Sequence, residues 1–221
     1  MPTNTTISSS TLKRRLGQRT ECPEDIRIRL HRSISWLQCA EKNAGDDDLN
    51  FITLWIALNA CYAMDGESGS FKTERGQFRT FIQTLVAADD EQRIFKLLWD
   101  KFSGAIRVML NNPYVYRGFW DYQRGDATSW KGGFDKSNEE AIKYLSANNV
   151  SGVLEILLDR LYILRNQLIH GGSTYKSGLN RKTVKDGCRI LEMLIPVIVD
   201  IIMLNPEKDW GRLLFPVVRE F

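Results

Sequence analysis

The residues of this sequence with the most evident chemistry stand in the segment LYILRNQLIHGG, at positions 161–172. Arg165, Asn166 and His170 are set into an apolar run that two glycines follow at once. An arginine can bind an anionic group, and a histidine can accept or donate a proton near neutral pH. Together these residue types are suited to general acid–base chemistry on a phosphate ester.

Arg165 is predicted to lie on the apolar side of a helix that begins near Val150. With about 100° between successive residues, one stripe of that helix is formed by Leu154, Leu158, Leu161 and Leu168. Arg165 fills the gap between the last two members of the stripe. A buried or interfacial arginine is costly unless it is paired or meets an anion.

His170 is predicted to share a helix face with Asn166, four residues before it. It lies about 140° from Arg165 on an ideal helix, so one chain does not bring the two together easily, whereas two copies meeting at a symmetry axis would. Gly171 or Gly172 is expected to end the helix, which leaves His170 in its last turn. There the helix dipole favours the imidazolium and Arg165 opposes it, which makes His170 a candidate general acid or base.

A purely structural interpretation of the same residues is also open. Arg165 would then pair with Asp159 or Glu155, and His170 would only cap the end of the helix. The spacing does not decide between the two interpretations, because Arg-x-x-x-x-His occurs often by chance.

Two motifs resemble those of HEPN domains, which are helical-bundle proteins of prokaryotic toxin and defence systems, among others. The segment from Arg165 to His170 resembles the family signature Arg-Asn-x-x-x-His. The upstream segment FITLWIALNACY resembles the Trp-x-Ala-x-Asn-x-x-Tyr helix of bacterial HEPN proteins, through Trp55, Ala57, Asn59 and Tyr62. The resemblance covers roughly residues 24–205.

The resemblance implies a homodimeric endoribonuclease that cleaves RNA without a metal ion or cofactor, with the arginines and histidines of both protomers in one cleft. His170 would transfer the proton of the 2′-hydroxyl or of the leaving group, and Arg165 would hold the scissile phosphate. Asn166 would orient the histidine or a phosphate oxygen. The function expected is that of a toxin or defence effector acting on RNA such as tRNA. An antitoxin or regulatory protein is a further candidate partner.

The sequence departs from some family toxins at the position two residues after the histidine. Those toxins carry there a tyrosine that a partner nucleotidyltransferase modifies, whereas this chain has Gly172, and its nearest tyrosine is Tyr175. Neutralisation by that route is therefore not expected. Because many HEPN domains act without catalysis, the alternative function is a non-catalytic helical module that binds a nucleotide, nucleic acid or partner protein.

Two further groups of residues are candidates for supporting the site. Asn59, with Tyr62 beside it, is expected to support Arg165 or His170 from a facing helix, or else to tie two helices together by a core hydrogen bond. The segment at about 111–137 interleaves aromatic and basic residues, which suits stacking on unpaired bases and neutralising phosphates. The alternative is a flap whose aromatic side chains pack onto the bundle. The RNA-binding candidates of this segment are Tyr116, Arg117, Trp120, Arg124 and Lys131.

Helical periodicity along nearly the whole chain predicts an all-α fold, a HEPN-like bundle of about five main helices. The first helix is expected at roughly 24–43, and the second, DLNFITLWIALNACYAM, should be the most buried because it is apolar on nearly all sides. An irregular insertion at about 111–137 precedes a short helix near 138–147. The last long helix should begin near Asn180 as its N-cap and be kinked by Pro196. Residues 1–22 are predicted to be a disordered basic tail, and residues 23–221 a single domain.

Composition narrows the classes of protein that fit. The chain has 221 residues, 43% hydrophobic and 26% charged, which is ordinary for a soluble globular protein. Its net charge of +3 permits a nucleic-acid partner without requiring one. No pair of its four cysteines has metal-ligand spacing, which predicts reduced thiols in a cytoplasmic protein and no metal site. The sequence shows neither a secretory leader nor an apolar segment long enough to span a membrane.

Overall fold

The computed structural model describes residues 7–63, 71–178 and 180–217, and the side chains of residues 71–75, 102 and 103 lie outside that description. The described residues form ten α-helices and no β-strand, which confirms the all-α class. This exceeds the five main helices expected, because short helices form near the N-terminus and inside the insertion. The helices are α1 (Ser9–Gln18), α2 (Glu24–Lys42), α3 (Asp47–Tyr62), α4 (Phe71–Ala87), α5 (Arg93–Lys101), α6 (Arg107–Leu110), α7 (Arg117–Gln123), α8 (Lys131–Ser146), α9 (Val150–Ile169) and α10 (Arg181–Leu204).

Helix α3 is the central element, as its apolar sequence predicts. Its side chains are buried on nearly every side, with Phe51, Leu54 and Leu58 almost completely inaccessible to solvent. It packs most extensively against α2 and α10. Asp46 caps its N-terminus by accepting hydrogen bonds from the backbone amides of Asp48 and Leu49.

Arg29 of α2 caps the other end of α3 from inside the core. Its side chain is 1% exposed, and its Nη1 donates to the carbonyl oxygens of Cys61 and Ala63 at 2.8 and 3.2 Å. Its Nη2 donates to the carbonyl of Gly211 at 2.7 Å. Desolvation lowers the pKa of this guanidinium. The partial negative charge of the helix end supports the buried cation, which forms no ion pair with a described carboxylate.

The predicted disordered tail is wrong for residues 9–18, which form α1. Ser8 caps this helix by accepting from the backbone amide of Thr11. Leu12 and Leu16, four residues apart, are buried in the main core, and α1 packs against α2 and α10. Arg15 forms an ion pair with Asp200 of α10 at 2.8 Å. The polar composition of the segment obscured this apolar leucine pair.

The insertion expected to be irregular is largely helical. A 3₁₀ turn at Pro113–Val115 leads into α7, and α8 begins at Lys131 instead of near residue 138. Gly133 in the first turn of α8 lets the ring of Tyr116 approach, since a Cβ there would come within 2.7 Å of its hydroxyl oxygen. Aromatic packing thus stabilises a helical start that glycine disfavours.

Helix α10 begins where predicted, but Asn180 does not cap it with its side chain. The Asn180 amide donates instead to Oε1 of Gln167 in α9, at 2.8 Å. Pro196 lies inside α10, as the sequence indicated. Among the described residues, no helix combines the length and the apolarity that crossing a membrane requires.

Truncating Leu12 tests whether α1 is docked. Leu12→Ala should lower the free energy of unfolding by about 2–5 kcal/mol, because it leaves a cavity in the core. Lys13→Ala, at the exposed neighbouring position, should change it by no more than about 0.5 kcal/mol. Urea unfolding followed by circular dichroism measures both. Equal values for the two variants would show that α1 is not part of the folded core.

Candidate functional site

The site residues stand at the C-terminal end of α9, which begins and ends as expected. Asn149 caps its start by accepting from the backbone amide of Gly152 at 3.0 Å. The helix ends at Ile169, and the backbone amide of His170 still donates to the carbonyl of Asn166. Gly171 then takes a positive φ of 69°, the left-handed stop that glycine allows. His170 therefore occupies the C-cap position with its side chain exposed.

Arg165 is half-buried, and its contacts are with its own helix. Its Nη1 donates to Oδ1 of Asn166 at 2.9 Å, and its guanidinium lies 5.9 Å from the ring centroid of Tyr162. Its Nε is buried without a hydrogen-bond partner. The structural alternative of pairing with Glu155 does not hold, because that carboxylate pairs with Arg79 at 3.0 Å.

A cleft of about 400 Å³ opens beside the end of α9, and we call it the His170 cleft. One wall comes from α9 and the turn after it, and the other comes from α7. Arg165 is not part of its lining, so a single chain presents the histidine and the asparagine but not the arginine, as the helical wheel predicts. The lining residues are Ile163, Asn166, Gln167, His170, Gly172, Arg117, Trp120, Asp121 and Arg124.

The structure does not bring Asn59 and Tyr62 to the site. The side chains of Phe51 in α3 and Leu164 in α9 both lie beside Gly187 of α10. Further along α3, the ring centroid of Trp55 lies 6.0 Å from that of Tyr162, which precedes Leu164 in α9. The two helices are therefore antiparallel, and residues after Trp55 lie away from Arg165. Tyr62 instead contacts the rings of Phe78 and Phe81 in the core.

Asn59 makes neither of the contacts expected for it. Its Oδ1 is buried without a hydrogen-bond partner, so the core hydrogen bond offered as the alternative is also absent for this atom. The Trp-x-Ala-x-Asn-x-x-Tyr segment supplies core packing in α3, with Trp55, Ala57 and Tyr62 buried.

The aromatic residues of the insertion mostly pack against one another. Tyr116 contacts the ring of Phe134 and lies under the guanidinium of Arg160, which is 4.5 Å from its centroid. Phe119 packs edge-on against Trp120 and Trp130, with centroids 5.2 Å apart in both pairs. These contacts favour the alternative of a packed flap over a surface on which bases stack.

The basic candidates of the insertion divide between two places. Arg117 and Arg124 line the His170 cleft together with Trp120, but Arg124 forms ion pairs with both Asp121 and Asp126. Lys131 is exposed at the start of α8 and does not line the cleft. The insertion thus borders the histidine side of the site, with the charge of Arg124 already neutralised.

Gln167 joins three elements at the site, and the sequence did not reveal it. Its Nε2 donates to the carbonyl of Tyr114 at 2.6 Å, and its Oε1 accepts from Asn180. Asn112 of the insertion also donates to Oγ1 of Thr183 in α10 at 2.9 Å. These bonds hold the insertion over the last turn of α9. The one feature of the sequence that points to Gln167 is its side-chain amide, the second beside Asn166 in an otherwise apolar run.

The connection that follows His170 is clamped to the N-terminus of α3. Asp48 is buried, and its carboxylate accepts hydrogen bonds from both Nη atoms of Arg181, at 3.0 and 2.9 Å, and from the backbone amide of Lys176. The Tyr175 hydroxyl donates to Asp46, and this bond is the main cause that lowers the pKa of that carboxyl. The position of His170 is therefore set by the same helix end that organises the core.

A larger groove of about 770 Å³ adjoins the His170 cleft, with Arg117, Asp121 and Ile163 shared between them. It runs along α9 toward the N-terminus of that helix and is bordered by α4, α7 and α8. We call it the α8–α9 groove. Among the described residues, no group of three or more His, Cys, Asp and Glu side chains is arranged to hold a metal ion.

Comparison with known proteins identifies no relative of this chain. No family model, no curated protein and no solved structure matches the chain. The HEPN resemblance is thus carried by its two short motifs.

Removing the Tyr116 ring tests whether the insertion is packed. Tyr116→Ala should lower the free energy of unfolding by about 3–5 kcal/mol, because contacts with Phe134 and Arg160 are lost. Tyr122→Ala, at an exposed tyrosine of α7, should cost no more than about 0.5 kcal/mol. Urea denaturation of the two variants gives the comparison. A Tyr116→Ala protein as stable as Tyr122→Ala would return Tyr116 to the role of a free stacking surface.

Proposed function

We propose that this chain is a metal-independent endoribonuclease of the HEPN type, acting as a toxin or defence effector on RNA such as tRNA. The observation that supports it is the end of α9, where the exposed side chain of His170 and Asn166 face one cleft. Arg165, one turn before His170, keeps a buried Nε without a partner. An unsatisfied donor on a cation is stabilised when an anion reaches it.

The proposed reaction needs a proton acceptor, a proton donor and a cation near the phosphate. The ribose 2′-hydroxyl attacks the adjacent phosphorus while one His170 accepts its proton. The bond between phosphorus and the 5′-oxygen breaks, and a second His170 donates a proton to that oxygen. The products are a 2′,3′-cyclic phosphate and a 5′-hydroxyl. Arg165 stabilises the charge of the transition state, and Asn166 holds the guanidinium in position through its 2.9 Å contact.

Two protomers are needed because Arg165 lies outside the cleft that His170 lines. The leucine stripe does not supply the interface, since Leu154, Leu158 and Leu161 are buried in the core of their own chain. The interface that we propose is therefore formed by the last turn of α9. Ile169 in that turn is exposed, and so are two apolar residues at the N-terminal end of α3: Leu49, and Tyr175, which binds Asp46.

Substitution of His170 tests the chemistry. His170→Ala should reduce cleavage of a labelled RNA in EDTA by roughly 10²- to 10⁴-fold, the usual contribution of a general acid or base. Arg165→Lys should also lose activity, because an ammonium cannot replace the planar fork of a guanidinium. His31→Ala, at the other histidine and exposed on α2, is the matched control and should stay active.

The 3′ ends of the products are analysed by mass, with a cyclic phosphate expected. Cleavage that persists in His170→Ala, or that requires added magnesium, would remove this mechanism. The non-catalytic binding module would then be the better account of the same cleft.

The oligomeric state tests the shared site. Light scattering at micromolar concentration should give a dimer for the wild-type chain. Ile169→Glu should shift it to monomer and abolish cleavage, because the substitution places two like charges near the symmetry axis. Ile142→Glu, at an exposed isoleucine of α8, should remain dimeric and active. A wild-type chain that is monomeric in this range would contradict the two-protomer site.

A further inference from the structure

The α8–α9 groove contains a buried cation that forms no ion pair with a described carboxylate. Arg160 is 3% exposed and lines the groove. Its Nη2 donates to Oγ of Ser137 at 3.1 Å and to Oδ1 of Asn138 at 3.3 Å, and its Nε is buried without a partner. Its flat faces contact the rings of Tyr116 and Phe134. None of these partners carries a negative charge, and no carboxylate of the described residues forms an ion pair with Arg160.

The comparison with Arg29 shows how unusual this environment is within the molecule. Both guanidinium groups are almost fully buried and keep an Nε without a hydrogen-bond partner, but Arg29 donates through its Nη atoms to the carbonyls at the end of α3, where the helix dipole is negative. Arg160 has a hydroxyl and an amide instead. Burial lowers the pKa of Arg160 to about 10. A buried charge left in this condition is costly, and an anionic ligand would remove the cost.

The carboxylates of the groove do not fill this role. Glu155 pairs with Arg79 at 3.0 Å, and Glu140 lies 4.0 Å from the ammonium of Lys136. Asp121 pairs with Arg124. The fourth, Asp159, has contacts of its own and favours the charged form of Arg160 only through longer-range attraction. Three of the four acids therefore carry a neutralising cation already, which leaves the charge of Arg160 available.

We propose that the α8–α9 groove is a phosphate-binding subsite centred on Arg160 and Ser137. A planar guanidinium matches two phosphate oxygens, and the Ser137 oxygen already accepts from Arg160, so its proton is left to donate to the ligand. This assignment does not depend on cleavage at His170.

The phosphate has two conceivable sources. Arg160 and His170 are ten residues apart on α9, which is about 15 Å along the helix axis. The groove and the His170 cleft share residues, so an extended RNA strand would place one phosphate at Arg160 and another, a few nucleotides away, at His170. A free phosphate compound would occupy Arg160 alone.

The test is thermal unfolding of the full chain in inorganic phosphate, against sodium chloride of equal ionic strength. The wild-type midpoint should rise with phosphate concentration, because a ligand that binds the folded state stabilises it. Arg160→Met should weaken this phosphate response by roughly tenfold or more, and Lys143→Met, which removes an exposed cation of α8 outside the groove, should keep it. Ser137→Ala preserves the ring contacts of Arg160 and should weaken the response several-fold.

Fluorescence anisotropy with a labelled 2′-O-methyl RNA oligonucleotide, which cannot be cleaved, distinguishes the two sources. Weaker binding by Arg160→Met and by Ser137→Ala assigns the subsite to a strand, whereas unchanged binding assigns it to a free phosphate compound. A wild-type midpoint that responds equally to phosphate and chloride would overturn the subsite. So would a phosphate response that persists in both Arg160→Met and Ser137→Ala. Cleavage assays on the same proteins report separately on His170.

Discussion

The fold depends on the burial of α3, a helix that is apolar on nearly every side and therefore needs neighbours on all of them. Such a helix still carries polar groups at both ends that the core must satisfy. Arg29 does this at the C-terminal end, where a cation meets carbonyls of partial negative charge. The same guanidinium binds Gly211, next to the buried Trp210, and so fixes the segment after α10 against the core.

The opposite end of α3 determines where the candidate site stands. Asp46 caps the helix, and Asp46 and Asp48 together hold the connection between α9 and α10, through Tyr175 and Arg181. His170 is the residue at which that connection begins. Its position is thus coupled to the most buried element of the molecule, although its own side chain is exposed. A rigid support for an exposed group is what a preorganised site requires.

One face of α9 packs into the core, and the other lines the His170 cleft and the α8–α9 groove. Its leucines from Leu154 to Leu164 are buried, while Arg160, itself buried, lines the α8–α9 groove and Arg165 is half-buried near the end of the helix. Each of these arginines keeps a buried Nε without a partner, and neither forms an ion pair with a described carboxylate. Gln167 and the packed rings of the insertion hold α7 in place over the same helix. The polar groups that could bind a ligand or act on it therefore lie along α9, a helix whose apolar face is already packed in the core.

The sequence by itself determined the helical class, the burial of α3 and both ends of α9, because apolar periodicity and a glycine stop are local properties. It also indicated that Arg165 and His170 face different sides of one helix. It misjudged residues 9–18 and 111–137, where the helices are stabilised by tertiary packing: Leu12 is buried in the main core, and Tyr116 packs against Phe134 and Arg160. The expected role of Asn59 was wrong for a similar reason. The spacing of its motif does not reveal that α3 and α9 pack antiparallel, which places Asn59 away from Arg165. Which polar groups meet, as with Gln167 and Asn180 or Asp48 and Arg181, was decided by the tertiary structure. Such pairs join residues whose proximity arises only after the helices have packed.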